Sequence, residues 1–427
     1  MALMEQQPAL SDTFFYDIST WALPVAYGVE TYWTGKSVAV PAVKVDSIDL
    51  PPGSVIGGKA TYAYLLRCDP NDAMRALAWL LQNDYKANVA MRQFILNGEK
   101  FSRGTIIVSV HGNKPDIHER MQELAQKFHL TIYAAHSGFT ESGIDLGSDR
   151  VVRLKKPKII LATNTPVSPD AFGTIWALFD QQYGIDFIPM KLAQLRNVDL
   201  HDYTALILPN DNAEGQGYKS QLDSNVVQKI RTWIAGGGTL IGIEGGAAFA
   251  SATVGKIATV KIKEKKKVDD STRREDKKDT SAVGEKLAEE ELEKRMTVEE
   301  KVRKRRLESI PGTMLRVKLD NSHPLGFGYD TSIVVLRTAK TMFELSEKGY
   351  NVGIYTKSPR LSGYISKENE KKLEETAYLV HEQLGSGNIV LFADNPNFRL
   401  FWDSLNKLFL NSVLLMPNIR NVALSAE

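Results

Sequence analysis

The chain has 427 residues, an apolar fraction of 43%, a charged fraction of 24% and a formal net charge of +2. That length predicts roughly two to four domains with sizeable cores, and near neutrality gives no reason to expect nucleic acid or an acidic membrane as a partner. The single cysteine, Cys68, excludes an intrachain disulfide framework and any cysteine-rich zinc or iron–sulfur site. No apolar run reaches the roughly 18 residues of a membrane-spanning helix.

The start, MALMEQQPALSDTFFYD, lacks the basic and apolar regions of a signal peptide. It reads as a chain that begins partway into a longer protein. Residues 12–34 are aromatic-rich, and the segment 1–58 as a whole is expected to be extended and to pack on a neighbouring domain.

A small α/β domain is predicted over 59–156. ATYAYLLR (60–67) has the β-branched and aromatic content of a strand. DPNDAMRALAWLLQND follows as a helix, with Asp69 or Asn71 as its N-cap and Met74, Leu77, Ala78 and Leu81 at helical spacing. VAMRQFIL (89–96) and GTIIVSV (104–110) read as strands around a turn at Asn97-Gly98. Asp116 to Phe128 reads as an amphipathic helix and LTIYAAH (130–136) as a further strand.

A second domain is predicted over 157–427. KIILATN is a buried strand, Pro169 to Tyr183 a helix, and FIPMKL and ALILPN are strands. Leu222 to Ala235 is a helix, and GGGTLIGIEGGAAFA runs through glycine turn, strand, sharp turn and helix. Alternating helices and apolar strands imply a doubly wound, mostly parallel sheet of flavodoxin-like type. A charged insertion, bounded at 254–310, interrupts it. Within it the 48 residues from Lys261 to Glu308 hold 31 charged side chains, 17 basic and 14 acidic, so the positive excess belongs to the insertion and not to the folded body. Residues 261–280 are expected to be disordered and 285–308 to be at most a solvated helix. Beyond it, TMLRVKL, TSIVVL, NVGIYT and NIVLFA read as strands, Lys367 to Leu384 as a helix, and NPNFRLFWDSLNKLFLNSVLL as an amphipathic closing helix.

The sharpest chemical feature is Gly242-Ile243-Glu244-Gly245-Gly246, between a strand and a small-residue helix. Glycines let such a turn tighten and lift the central side chain toward the helix N-terminus, the geometry of a nucleophile elbow. Amidotransferases and hydrolases of related architecture place Cys or Ser there; this chain places Glu244. The helix dipole and backbone N–H groups are expected to favour its ionised form. The plainer reading is a tight strand–helix connection whose glycines serve packing. His323 in NSHPLGFGYD and His201 in DLHDYTALIL are the candidate partners for Glu244. Asn210, Asp211, Glu244, Gly245 and Gly246 form a candidate polar pocket at the sheet edge. The seven histidines show neither His-x-x-Glu nor His-Glu-x-x-His, so no metal site is predicted, and no phosphate loop is present. RKRR (303–306) reads as part of a solvated face.

Several motifs in order carry a resemblance: FYDISTWALPVAYGV, SGFTESGIDLGSDRV, GTIWALFDQQYG, GGGTLIGIEGGAAFA, HPLGFGYD, LSGYISKEN and DNPNFRLFWDSLNKLFLNSVLL. Together they resemble the C-terminal half of bacterial zinc carboxypeptidase-like proteins, in which a carboxypeptidase A-type metallopeptidase domain precedes a region like class I glutamine amidotransferases. The resemblance implies that zinc belongs to the absent peptidase domain and that this chain holds no cofactor. Glu244 stands where the amidotransferase-like region would carry its Cys. The function it implies is a non-catalytic accessory or scaffold module. Its partners would be a metallopeptidase domain in the same or a neighbouring gene product and a second copy of the chain. The resemblance also implies a periplasmic or extracellular setting. Two further readings are a hydrolase or amidotransferase-like enzyme of altered chemistry at Glu244 with His323 as its partner, and a small-ligand or glycan-binding module at Asn210, Asp211 and Glu244.

Overall fold

The computed structural model describes residues 22–263, apart from 33, 38, 40, 42, 45, 47 and 49, and residues 294–426. The expectations for 1–21 and for 264–293 lie outside the described residues. The architecture is α/β, a small α/β unit followed by a larger doubly wound one.

Before the first unit lies α1 (Leu23–Ala26). Ala22 and Ala26 are buried, and the Tyr27 ring meets Phe401 edge-on at 6.5 Å between centroids. The described part of the aromatic segment therefore packs on its own chain, while Leu23, Val29 and Tyr32 stay exposed.

The first unit opens at β1 (Ser54–Ile56), earlier than residue 59, because this strand pairs in parallel with the last long strand of the unit. Next come β2 (Ala63–Leu66) and α2 (Asn71–Gln82). Pro70 occupies the cap position, and Asn71 instead donates to Asp403 Oδ2 at 2.8 Å. VAMRQFIL is two strands rather than one, β3 (Asn88–Ala90) and β4 (Phe94–Leu96), broken over 91–93. Then come β5 (Glu99–Phe101), β6 (Ile106–Ser109), α3 (Ile117–Lys127), β7 (Thr131–Ala135), β8 (Ser142–Gly143) and β9 (Val151–Arg153). The main sheet has the order β1-β7-β2-β6-β3-β9, and β5-β4-β8 form a small second sheet. The hairpin β4–β5 turns at Asn97-Gly98, both at positive φ, as an Asn-Gly hairpin requires.

The second unit begins with β10 (Ile159–Thr163) and α4 (Pro169–Ala177), whose last turns widen into a π-helix over Leu178–Tyr183. After β11 (Ile188–Lys191) and β12 (Ala205–Leu208) come α5 (Gln216–Gln221), α6 (Ser224–Ala235), β13 (Thr239–Ile243) and α7 (Gly245–Ala250). The Asp223 side chain caps α6 by accepting the Val226 N–H at 3.0 Å. The insertion expected from residue 254 begins later: Val254, Ile257, Ala258 and Val260 are buried in the core. The chain at 262–263, expected to be disordered, pairs with the backbone at Met342 and Phe343, because Ile262 and the residues before it are apolar enough to pack. The charged segment contributes α8 (Val298–Glu308), and RKRR lies on it. The fold resumes with β14 (Thr313–Leu319), β15 (Ser332–Arg337) and β16 (Tyr350–Ser362). It continues with α9 (Lys367–Leu373), β17 (Ala377–Leu384), β18 (Gly387–Phe392) and α10 (Asn406–Leu410).

The nine strands are ordered β11-β10-β12-β13-β18-β17-β16-β14-β15. The ladders from β11 to β18 are parallel and the rest antiparallel. The chain steps one way from β10 to β11 and the other way from β12 to β13. Right-handed crossovers therefore place the intervening helices on opposite faces. The order reverses between β10 and β12, where crevices form in open α/β sheets.

Two further elements differ from the expected ones. The helix expected over 367–384 ends at Leu373, and β17 follows. Leu373, Ala377, Val380 and Leu384 mimic helical spacing, but residues 377–382 are buried throughout between β16 and β18. Burial on both faces is a strand's environment here. The closing helix is likewise not amphipathic. Residues 403–415 pass through a 3-10 turn, α10 and a π-turn, and every residue from Asn406 to Leu415 is buried. Its polar groups are satisfied inside: Asn411 Nδ2 donates to Leu325 O at 2.9 Å and Ser412 Oγ to Phe409 O at 2.6 Å.

The two units share one hydrophobic core, with Leu77 of α2 and Leu408 of α10 in the same cluster. Lys407 Nζ donates to Asp69 O across the seam, and Arg103 Nε to Ser425 O at 3.0 Å. No described helix is long and apolar enough to cross a membrane.

Candidate functional site

At the end of β13 the chain makes the sharp turn read from Gly242-Ile243-Glu244-Gly245-Gly246. Glu244 sits at φ 49° and ψ −109°, a conformation that side-chain-bearing residues avoid. A strand, one strained residue and a helix N-terminus are the parts of an elbow. The glycines are required by packing. A Cβ on Gly246 would lie 1.9 Å from Leu208 O, and one on Gly245 would lie 2.1 Å from Asp211 Oδ1. Glycine alone lets α7 press onto the end of β12.

The structure brings Asn210, Asp211, Glu244, Gly245 and Gly246 together at the carboxyl ends of β12 and β13. Most of the polar groups of the first two are spent on the loop itself. Asp211 accepts the backbone N–H groups of Ala213 at 3.0 Å, Gly215 at 3.0 Å and Gly217 at 2.9 Å. Asn210 Oδ1 accepts the N–H of Asn212 at 3.1 Å and that of Gly245 at 3.1 Å. The second contact matters chemically. In an elbow enzyme the N–H following the nucleophile helps hold the oxyanion; here the Asn210 amide already occupies it.

On the other side of Glu244 lies a buried polar cluster drawn from the antiparallel strands. Asp394, just past β18, accepts Arg337 Nη1 at 2.8 Å and Tyr355 Oη at 2.5 Å. It also accepts the N–H groups of Thr338 at 3.3 Å and Ala339 at 3.2 Å. Arg337 and Asp394 are both fully buried, and Arg337 Nη2 donates to Thr341 O at 2.5 Å. Thr338 Oγ1 donates to Glu244 Oε1 at 3.3 Å. Burial, and next the negative charge of Asp394, push the Glu244 carboxyl up to about 8; Thr338, Arg337 and the Asn395 N–H oppose the shift. At neutral pH Glu244 is thus an un-ionised acid. This corrects the expectation that the helix dipole keeps it charged. Helix α7 is only six residues long, and the carboxyl instead bonds to Thr338 within reach of the Asp394 charge.

The two candidate histidines do not reach this end of the sheet. His323 is buried and bonds to His381, which bonds to Asn388. Asn388 lies level with Thr239, the first residue of β13, while Glu244 follows the last. At about 3.3 Å per residue this is roughly 16 Å along the strand. The reason is topological: the turn carrying His323 leaves the end of β14, which runs opposite to β13. His201 lies in the turn before β12, exposed and paired with Asp199 Oδ1 at 2.9 Å. Among the described residues no group of three or more His, Cys, Asp or Glu side chains is arranged to hold a metal.

Sequence reasoning missed Arg337, Thr338, Tyr355 and Asp394. A signal was present in two of them: Arg337 ends the apolar run SIVVL, and Asp394 follows NIVLFA. A charge closing a buried strand needs a partner.

No protein-family model matches the chain, and no curated protein does. Among solved structures, the chain is similar to a glutamine amidotransferase from Thermotoga maritima, with 9% identity and a TM-score of 0.36 over 60% of this chain and 98% of that one. It is also similar to a β-galactosidase from Bacillus circulans sp. alkalophilus, with 10% identity and a TM-score of 0.31 over 60% of this chain and 31% of that one. An exo-β-1,4-mannosidase from an Opitutaceae bacterium, strain TAV5, has 8% identity and a TM-score of 0.31 over 60% of this chain and 36% of that one.

Proposed function

We propose that this chain is a non-catalytic accessory module, and that the protein it serves is zinc carboxypeptidase-like. The observation that carries the first part is the state of the elbow. Its central side chain is a buried carboxylic acid rather than a nucleophile, and the N–H that follows is bonded to Asn210. Nucleophilic catalysis needs an activated nucleophile beside a base. The groups acting on Glu244 are instead the Thr338 hydroxyl and the Arg337–Asp394 ion pair. The elbow serves as a packing joint that locks β12, β13 and α7 together. The zinc carboxypeptidase-like assignment rests on the ordered sequence motifs alone.

The test is a set of turnover assays on the chain with glutamine, an activated ester and a peptide with a free C-terminus, each with and without zinc. We expect no turnover that Glu244→Gln abolishes. Turnover lost in that variant would make the elbow a reactive centre and overturn the reading. The partner is tested by adding the chain to a separately produced zinc carboxypeptidase-like domain. A rise in that domain's melting temperature supports the pairing, and an unchanged one counts against it.

A further inference from the structure

We propose that the buried His323–His381 pair is an acid-sensitive latch on the seam between the two units: one proton on either ring unpins the 323–329 loop.

Asn388 Nδ2 donates to Met416 O at 2.8 Å and to Ile419 O at 3.3 Å, which leaves its Oδ1 as an acceptor. His381 Nε2, at 2.9 Å from that oxygen, must therefore carry a hydrogen. In the neutral ring Nδ1 is then an acceptor, and His323 Nε2, at 3.0 Å, supplies the hydrogen. His323 Nδ1 in turn accepts the Leu325 N–H at 3.1 Å. These hydrogens are assigned from the network. Every ring nitrogen is satisfied with both rings neutral, and only then. A proton added to His381 goes onto Nδ1, where two N–H groups would face each other. A proton added to His323 goes onto Nδ1, against the Leu325 N–H.

The surroundings compensate a charge only in part: Asn388 and the Glu382 carboxylate favour a charged His381, and burial outweighs them. The groups facing the pair are Tyr350 from β16, Asn388 from β18 and, next along β17, Glu382. Tyr350 stacks on His381 with centroids 5.7 Å apart. The Glu382 carboxylate is bonded to the Thr259 N–H at 2.6 Å and to Ser346 Oγ at 2.7 Å. Burial holds both imidazoles below their ordinary range, His381 at about 4. Tyr350 is half-exposed, so solvent protons reach the edge of the cluster.

The loop pinned by the pair forms part of the seam. Asn411 Nδ2 holds Leu325 O at 2.9 Å and Phe327 O at 3.0 Å. A Cβ on Gly104 of the first unit would meet both Cys68 Sγ and Phe327 Cβ at 2.8 Å, so Phe327 lies beside the thiol. A Cβ on Gly328 would lie 2.7 Å from Cys68 O. Lifting this loop uncovers Cys68, the chain's only cysteine.

The experiment is labelling of Cys68 in the full chain with dithiodipyridine, a reagent that reacts in acid as well as at neutrality, from about pH 7.5 to about pH 5. We expect the labelling rate to rise by about tenfold or more as pH falls, the rise to be smaller in His381→Gln, which keeps a donor and an acceptor but does not titrate, and to be lost when His323→Gln is added to it. A flat profile in the unaltered chain overturns the proposal, and so does an equal rise in a folded His381→Gln variant. Should that variant not fold, hydrogen exchange of the Leu325 amide in the unaltered chain decides the matter. After correction for intrinsic pH dependence, its protection should fall in acid before that of the β2 and β6 amides. Simultaneous loss would mean global unfolding and would overturn the latch.

Discussion

Asn210 Oδ1 accepts the backbone N–H of Gly245 at 3.1 Å, joining the end of β12 to the first residue of α7. The same oxygen accepts the Asn212 N–H. One side-chain amide thus shapes its own loop and satisfies a helix N-terminus. Asn210→Ala removes the acceptor and leaves the buried Gly245 N–H without a partner. We expect a loss of about 1–3 kcal/mol, read as a lower urea midpoint with an unchanged m-value.

Glu244 links stability to pH in the direction opposite to most carboxylates. Its folded-state value, about 8, lies above the ordinary 4.5. The folded chain therefore binds the proton more tightly. The contribution is fully present below about pH 4.5 and is lost as pH rises through about 8, at up to about 1.4 kcal/mol per pH unit. Glu244→Gln keeps the shape and cannot ionise. Denaturant titrations should show this variant gaining on the unaltered chain from pH 5 to pH 8. A constant difference across that range would mean that Glu244 does not hold its proton.

The Arg337–Asp394 pair should be costly to break and cheap to replace whole. Both groups are fully buried at 2.8 Å. Arg337→Met alone leaves a carboxylate without its cation and should cost about 3–5 kcal/mol. Combining it with Asp394→Leu removes both charges, and the double variant should recover a large part of that loss. A double-mutant cycle on melting temperature measures the coupling.

Gly246→Ala tests the packing role of the elbow. The added Cβ would fall 1.9 Å from Leu208 O, a backbone atom at the end of an inner strand. Overpacking of this kind costs about 1–3 kcal/mol or more. The soluble, folded fraction should drop sharply. Gly173→Ala, at a helical position where a Cβ meets nothing within 4 Å, should leave it unchanged.

Much of the fold was legible because local pattern and tertiary demand agreed. ALILPN is apolar on both faces, and β12 is buried on both faces. The Asn97-Gly98 turn and the glycine-flanked elbow were legible for the same reason, since each needs backbone conformations or close approaches that those residues supply; the strand that follows the turn, 99–101, was not foreseen. Residues 377–384 were misread because their apolar spacing suits a helix, and the deciding fact, pairing with β16 and β18, is not local. The site was legible only in part. Glu244 and the loop around Asn210 and Asp211 stand within about 35 residues of each other on neighbouring parallel strands, which the strand–helix alternation already implied.

By itself the sequence determined the strand–turn–helix at Glu244 and the parallel half of the sheet. Each is set by residues close together in the chain. Only the tertiary structure decided that Glu244 is neutral, that Asn210 holds the Gly245 N–H, and that His323 faces His381 at the far end of the strands. Protonation and hydrogen-bond partnership depend on burial and on groups far away in sequence. Asp394 and Thr338 reach Glu244 from strands that join the sheet after the insertion. No local pattern records which strand will lie beside which.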